Sequence, residues 1–263
     1  MKTVKGLHEK MGTFENANTS FHQAARCKRY TDEVLAFSMV KEEELLRATE
    51  EIQNLTYRQG EYKIFKVFEP KERLIMALPF YDRVVQHMIC NAIQPVFENG
   101  FYYHSYACRS SKGMHAASDT LYQWMYETEV KQGLRMYAFK GDISKYFASI
   151  PHDKLKDENR RYIGDKKALM LMDDIIDHNG ILPDGVGIPV GNLTSQLFAN
   201  VYGNKLDKFC KHVLHIPYFV RYMDDFIILS DDLEQLKEWV KRIEEFLENE
   251  MLLHINPKST ILY

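Results

Sequence analysis

The hydrophobic pattern changes period several times along the chain. Val34, Leu35 and Phe37 follow Thr31 and Asp32 at helical spacing, which predicts a helix opening there, and residues 41–55 predict a second. Residues 1–57 therefore read as an N-terminal helical lead. From 62 to 68, aromatic and aliphatic positions alternate with Lys63 and Lys66. Glu69, Pro70, Lys71 and Glu72 form a polar break, and 73–78 is apolar again. That pattern predicts a β-hairpin with basic residues on one face. Pro79 ends it, and 81–96 predict a buried helix.

Further along, Ser110 and Ser111 are placed to cap a helix over 114–132. Residues 136–139 predict a strand ending at Asp142. A helix is expected from Pro151 onward and a glycine-bearing loop over 183–189. Residues 192–210 predict a helix with Leu193, Leu197, Val201 and Leu206 facing inward. Residues 218–229 then read as two short strands joined at Met223. An amphipathic helix over 234–250 carries a stripe of Leu233, Leu236, Val240, Ile243 and Leu247. Residues 252–255 predict a last strand, broken by Asn256 and Pro257. The order strand, helix, hairpin, helix, strand predicts an α+β fold: an antiparallel sheet backed by helices, in the split-βαβ manner.

Composition changes this picture little. Apolar residues at 45% and charged residues at 27% are ordinary globular values. The net charge of −3 does not announce a nucleic-acid binder, but charge is unevenly spread. Residues 58–112 hold eight Lys or Arg against five Asp or Glu, and residues 231–250 hold eight acids against three bases. One face could meet phosphates while the average stays acidic; two solvated faces explain the numbers equally well. The four cysteines are scattered without a Cys-x-x-Cys, which suggests neither zinc nor disulfides. No apolar run is long enough for a bilayer, and the N-terminus lacks a signal-peptide pattern, so a cytoplasmic setting is expected. His87, His115 and His152 have no partner arguable from sequence and read as structural or solvated.

Chemistry is suggested by acids at strand ends. Asp224 and Asp225 occupy the turn between two apolar strands, where like charges are costly to hold close unless a cation relieves them. A doublet alone is weak evidence, since Asp173-Asp174 and Asp231-Asp232 also occur. Asp142 ends another apolar strand. If that strand pairs with the 218–229 hairpin, Asp142 and Asp224 meet. Two carboxylates plus a main-chain carbonyl form a hard oxygen site suited to Mg²⁺. Two such ions, roughly 3.5–4 Å apart, serve phosphoryl or nucleotidyl transfer. Alone, Asp142 would more often be a surface residue.

Six ordered motifs then carry a family resemblance over roughly residues 60–260. Tyr222-Met223-Asp224-Asp225 resembles the Tyr-x-Asp-Asp box of reverse transcriptases. Asp142 to Phe147 resembles their first catalytic motif. Residues 187–196 resemble the loop and helix between them, and residues 253–260 the lysine-bearing motif that follows. Residues 68–73 and 82–87 are similar to the fingers of bacterial retroelement enzymes. The resemblance implies fingers over 58–135 and a palm over 136–263. The chain stops just past the lysine motif, so primer grip and thumb are expected to be absent from it.

By the same resemblance, Asp142 and Asp224 would ligate two Mg²⁺ ions (or Mn²⁺), with the Ile143 carbonyl helping and Asp225 secondary. Phe147 would be the steric gate against a 2′-hydroxyl. Lys71 and Arg73 would hold the incoming triphosphate, although a solvated hairpin tip suits both. Val190, Gly191 and Gln196 would line the nucleotide. Tyr222 and Met223 would touch the primer end. Lys258 would be the acid for the pyrophosphate, or a surface lysine. Arg109, Lys112, Lys63 and Lys66 would face template phosphates or solvent.

The middle motif departs from the common Gln-Gly-x-x-x-Ser-Pro: Val190 replaces the glutamine and Gln196 the proline. That variant is similar to diversity-generating retroelement enzymes, where it accompanies relaxed fidelity opposite template adenine. The implied partners are an RNA template, a DNA or RNA primer, dNTPs, and an accessory protein or structured RNA, with no membrane. Group II intron-like and antiviral phage-defence settings remain open. So do an RNA-dependent RNA polymerase and a catalytically idle nucleic-acid-binding palm.

Overall fold

The computed structural model describes residues 3–68 and 72–262. In chain order these form helices α1 (Leu7–Met11), α2 (Phe14–Ala24), α3 (Asp32–Met39) and α4 (Lys41–Gln53), then strands β1 (Lys63–Val67) and β2 (Arg73–Ala77). Helices α5 (Phe80–Glu98) and α6 (Met114–Met125) precede β3 (Tyr137–Asp142). Helices α7 (Tyr146–Ser149), α8 (His152–Tyr162), α9 (Lys166–Asp177) and α10 (Leu193–Lys208) follow. Strands β4 (Tyr218–Tyr222) and β5 (Asp225–Ser230), helix α11 (Leu233–Phe246) and strand β6 (Thr260–Leu262) complete the order. Among the described residues, no helix is long and apolar enough to cross a membrane.

Packing divides the chain into two units, Met1–Gly100 with His152–Phe198, and Phe101–Pro151 with Ala199–Tyr263. Each unit draws on two separate stretches of chain. Helix α9 packs on α1, and residues 104–106 pair with β4.

In the first unit α5 is the spine, burying Val84, Val85, Met88, Ile89, Ile93 and Phe97 among the helices around it. Phe37 lies edge-on to Phe80 and parallel to Phe21, with centroids 5.1 and 5.6 Å apart. Thr31 precedes α3 as expected, although its hydroxyl donates back to the Lys28 carbonyl rather than capping. The segment after Pro151 breaks into two helices at Gly164 and Asp165. Asp165 accepts main-chain N–H groups of Lys167 and Ala168 at the start of α9 and of Leu7 and His8 at the start of α1. One carboxylate thus closes two helix starts. Strands β1 and β2 form the expected antiparallel hairpin, with Val67 opposite Arg73. The tip residues 69–71, including the predicted triphosphate ligand Lys71, lie outside the described residues.

The second unit is built on a four-stranded antiparallel sheet, ordered β4-β5-β3-β6, packed by α6 and α11. Gly141 stands opposite Phe226, whose ring fills the space a Cβ would need. The expected strand at 252–255 contributes only a bridge between Ile255 and Ile143. The edge strand is instead Thr260–Leu262, because Leu252 is left-handed (φ 54°) and the chain turns again at Asn256 and Pro257 before straightening. Helix α6 starts at Met114 as expected, but its N-cap is Gly113 (φ 130°) rather than Ser110 or Ser111. It gives way to a π-helical turn, Tyr126–Lys131, where the Thr128 hydroxyl donates to the Trp124 and Met125 carbonyls.

Candidate catalytic site

Strand register brings the acids together. Asp142, the last residue of β3, is directly opposite Asp225, the first residue of β5, and Asp225 also pairs with Tyr222 of β4. Opposed Cα atoms in an antiparallel pair are about 4.5–5.5 Å apart, so the two acids share one end of the sheet. The Ile143 N–H donates to the Asp224 carbonyl at 3.2 Å and extends the pairing past the strand. The turn between β4 and β5 places Met223 at φ 60°, a left-handed conformation that costs a non-glycine residue about 1–2 kcal/mol. Met223 is buried at 7% exposure, whereas Tyr222 and Asp225 are exposed.

The turn after residue 255 holds Asp142 at three points. Its main-chain N–H donates to the Ser259 hydroxyl at 3.1 Å, and its carbonyl accepts the Asn256 N–H at 2.7 Å. Its carboxylate Oδ2 accepts from Asn256 Nδ2 at 2.7 Å. Asn256 Oδ1 in turn accepts the Lys258 N–H, while the Lys258 side chain is exposed. Phe147 is half-buried in α7 beside the buried ring of Tyr146, whose hydroxyl donates to the Ala199 carbonyl at 2.7 Å. A groove of about 310 Å³ lies between α6 and the sheet, lined by Met114, Leu121, Lys140, Val220, Tyr222 and Asp225 among others.

The donor chemistry fits a divalent cation: two carboxylates, Asp142 and Asp224, with the Ile143 carbonyl as a third hard oxygen. Among the described residues, however, no group of three or more His, Cys, Asp or Glu side chains is gathered to hold a metal. The strand pairing brings Asp142 and Asp225 opposite each other, and the Ile143 N–H to the Asp224 carbonyl, without a side-chain cluster.

Under the turn lies an ion pair that sequence reasoning missed. Arg221 and Asp207 are both 0% exposed, and the guanidinium donates from Nε and Nη2 to the two carboxylate oxygens at 2.6 and 2.8 Å. Burial acts to lower the Arg221 pKa, but Asp207 raises it above its ordinary value, so the arginine stays charged. Burial likewise pushes the Asp207 carboxyl up, against the pull of Arg221. Period two in β4 offered a signal, since Arg221 falls on the same face as buried Phe219.

The other predicted residues lie as follows. Arg109 donates to the Tyr102 and Ser105 carbonyls, and the Lys112 ammonium sits 3.4 Å from the Tyr103 ring centroid. Both heads brace their own segment. In the first unit Lys63, Lys66 and Arg73 are exposed on the hairpin, and Lys66 pairs with Glu72 at 2.6 Å. The Val190 carbonyl accepts the Met76 N–H at 3.1 Å. Gly191 (φ 120°) passes so close to β2 that a Cβ would stand 3.2 Å from the Met76 carbonyl oxygen. Gln196 and Gly191 line a pocket of about 200 Å³ with Lys28, Arg83, Gln86 and His87. His152 does have partners: the Gly187 carbonyl at 2.8 Å and Asp177 at 3.2 Å.

Residues 66–263 match the family described as Reverse transcriptase (RNA-dependent DNA polymerase). Protein YkfC of Escherichia coli K12 is 28% identical over 134 residues, covering 49% of this chain and 34% of that protein. The "Uncharacterized 91 kDa protein in cob intron" of Schizosaccharomyces pombe is 28% identical over 137 residues, covering 50% of this chain and 16% of that protein. The chain thus spans about a third or less of the length of these relatives. Apo telomerase of Candida tropicalis, truncated from its C-terminal domain, superposes with a TM-score of 0.57 at 14% identity, over 79% of this chain and 50% of that one. Candida albicans telomerase, in complex with a TWJ fragment of telomeric RNA, gives 0.58 at 10% identity, over 80% and 44%. At such identities the likeness shows the fold alone. With the family matched over most of its length, and its acids paired at one sheet end, the chain belongs to the reverse transcriptase family.

Proposed function

We propose that this chain is the fingers and palm of an RNA-directed DNA polymerase, adding dNTPs to a primer 3′ end on an RNA template. The observation that carries this is the register of Asp142 opposite Asp225, with Ile143 bonded to Asp224, in a chain of this family. Asp142, Asp224 and the Ile143 carbonyl would hold a pair of divalent ions, Mg²⁺ by the hardness of the donors, with Asp225 beside them. When bound, such ions supply activation of the primer hydroxyl and neutralisation of the departing pyrophosphate. Tyr222 and Met223 would seat the primer end, and Phe147 would exclude a 2′-hydroxyl. Lys71 and Arg73 would meet the triphosphate, Val190, Gly191 and Gln196 the nucleotide, and Lys258 the pyrophosphate. Lys63, Lys66, Arg109 and Lys112 would meet template phosphates, so binding should weaken steeply with salt.

Two settings have a specific observation each. Val190, which packs but cannot hydrogen-bond through its side chain, favours a low-fidelity, diversity-generating element. The Schizosaccharomyces pombe relative is named for an intron, which favours an intron-like element. The flanking genome discriminates: imperfect repeats support the first, an intron RNA the second, and a defence cluster neither.

Primer extension on an RNA template tests the activity. Wild type should extend with dNTPs far better than with rNTPs, and Asp224→Asn should abolish extension while its thermal melt stays near wild type. Equal extension by both proteins would refute the assignment.

A further inference from the structure

Resting on that polymerase reading, we propose that Arg221 is a positioning residue: clamped by Asp207, it holds the Met223 carbonyl and thereby sets where the adjacent Asp224 carboxylate stands.

Arg221 is among the largest side chains of the protein with no exposed surface. Its guanidinium has five N–H donors in a fixed fork. Two go to Asp207. Nη2 also donates to the Ser105 hydroxyl at 3.1 Å, and Nη1 donates to Asn200 Oδ1 at 3.3 Å and to the Met223 carbonyl at 2.9 Å. Four of these five contacts run to α10 and to the 104–106 segment, which are scaffold. The fifth runs to the left-handed residue at the peak of the catalytic turn, immediately before Asp224.

The scaffold is shaped for this contact. Asn200, Gly203 and Asp207 share one face of α10 at helical spacing. At Gly203 a Cβ would stand 2.6 Å from Nη1 and 2.9 Å from the Tyr146 hydroxyl, so only glycine leaves the fork its room. The main chain of Arg221 is held as well: its N–H donates to the His104 carbonyl, and its carbonyl accepts the Tyr106 N–H. A guanidinium fixed on every side cannot follow the turn if the turn drifts, so the turn is held to it.

Stability alone does not explain the pair. A buried ion pair exchanged for apolar residues of similar volume is often neutral or stabilising. Met223 supplies what an apolar replacement would lose. Met223 is buried in a left-handed turn, and a charged donor bonds its carbonyl more strongly than a neutral one.

The test is the double variant Arg221→Met with Asp207→Leu, which avoids leaving Asp207 buried and unpaired, beside Arg221→Lys, which keeps a charge but not the fork. Amide hydrogen exchange and single-nucleotide primer extension are read on each. The double variant should melt near wild type. Its amides at 223–225 should exchange about tenfold faster or more, while those of Ile227 and Ile228 stay protected. Its kcat should fall about 10–100-fold with KM for dNTP nearly unchanged. Arg221→Lys, which keeps the charge beside Asp207 but loses the fork, should show the same fall in kcat. Unchanged exchange at 223–225, or a loosened turn with wild-type kcat, would overturn the proposal. A wild type inactive with every divalent ion would sink the polymerase reading instead, and exchange at the turn would then decide this one.

Discussion

Replacing Asn256 with alanine should damage catalysis far more than folding. The substitution removes the 2.7 Å bond from Nδ2 to Asp142 Oδ2 and the 3.1 Å bond from the Lys258 N–H to Oδ1. It leaves the bond from the residue 256 main-chain N–H to the Asp142 carbonyl at 2.7 Å, so the turn keeps its anchor on β3. A hydrogen bond to a charged group contributes about 1.5–3 kcal/mol, and the half-buried setting of Asp142 argues for the lower half of that range. If the bond orients the carboxylate for the chemical step, about 1.5–2 kcal/mol off transition-state stabilisation lowers kcat/KM roughly 10–30-fold. Water can replace Nδ2 at the half-buried carboxylate, so the fold loses about 1 kcal/mol at most, a melting shift of roughly 2–4 °C for a chain of this size. Steady-state single-nucleotide extension and a thermal melt, run on the same preparation, separate the two effects. A kcat/KM within twofold of wild type, at an unchanged melting point, would show that Asn256 merely closes a surface turn.

Three further outcomes follow from the same geometry. Burial acts to raise the Asp165 pKa, but main-chain N–H groups of His8, Ala168, Leu7 and Lys167 outweigh it and hold the carboxyl below its ordinary range. A depressed folded value means stability that is present above the unfolded pKa of about 3.9 and lost as pH falls through the folded one. Asp165→Ala should therefore melt about 4–8 °C lower at neutral pH, for two caps near 1 kcal/mol each, and the gap to wild type should close in acid. Gly141→Ala pushes a methyl into the Phe226 ring and should cost about 1–3 kcal/mol in urea unfolding; a neutral result would mean that the sheet can open there. Val190→Gln should lower misincorporation opposite template adenine, read by sequencing the products, and an unchanged error spectrum would detach fidelity from this position.

Much of the fold was legible because its signals are local. Period two over 218–229 and a strand ending at Asp142 are patterns within a dozen residues, and both appear as β4, β5 and β3. The stripe of α11 is likewise a short-range signal, and Leu236, Ile243 and Leu247 are buried as it implies. Reading failed where geometry depends on a left-handed residue. Leu252 (φ 54°) ends the 252–255 strand before it forms, and Gly113 (φ 130°), not either serine before it, is the N-cap of α6. Nothing in the local composition forces a leucine into that conformation.

The pairing of the candidate acids was legible and their supports were not, for one physical reason. Register decides which residues stand opposite one another, and register follows from the apolar pattern that sequence displays. It does not decide the direction of a carboxylate, which has two torsions of its own. For Asp142 that direction is set by Asn256, 114 residues away, a residue that in sequence is only a strand breaker. On the Asp224 side the turn is tied through Met223 to Arg221, and through Arg221 to Asp207 and Asn200 on a different helix. Two of these supports are charges where pattern alone expects an apolar residue: an arginine facing a core and an aspartate on the buried face of α10. A charge on the inward phase of a strand is costly unless a partner waits in the fold. Such a misplaced charge, beside the acids of a recognised motif, is therefore the sequence signal most worth pursuing, because it marks where distant chain segments converge on the chemistry.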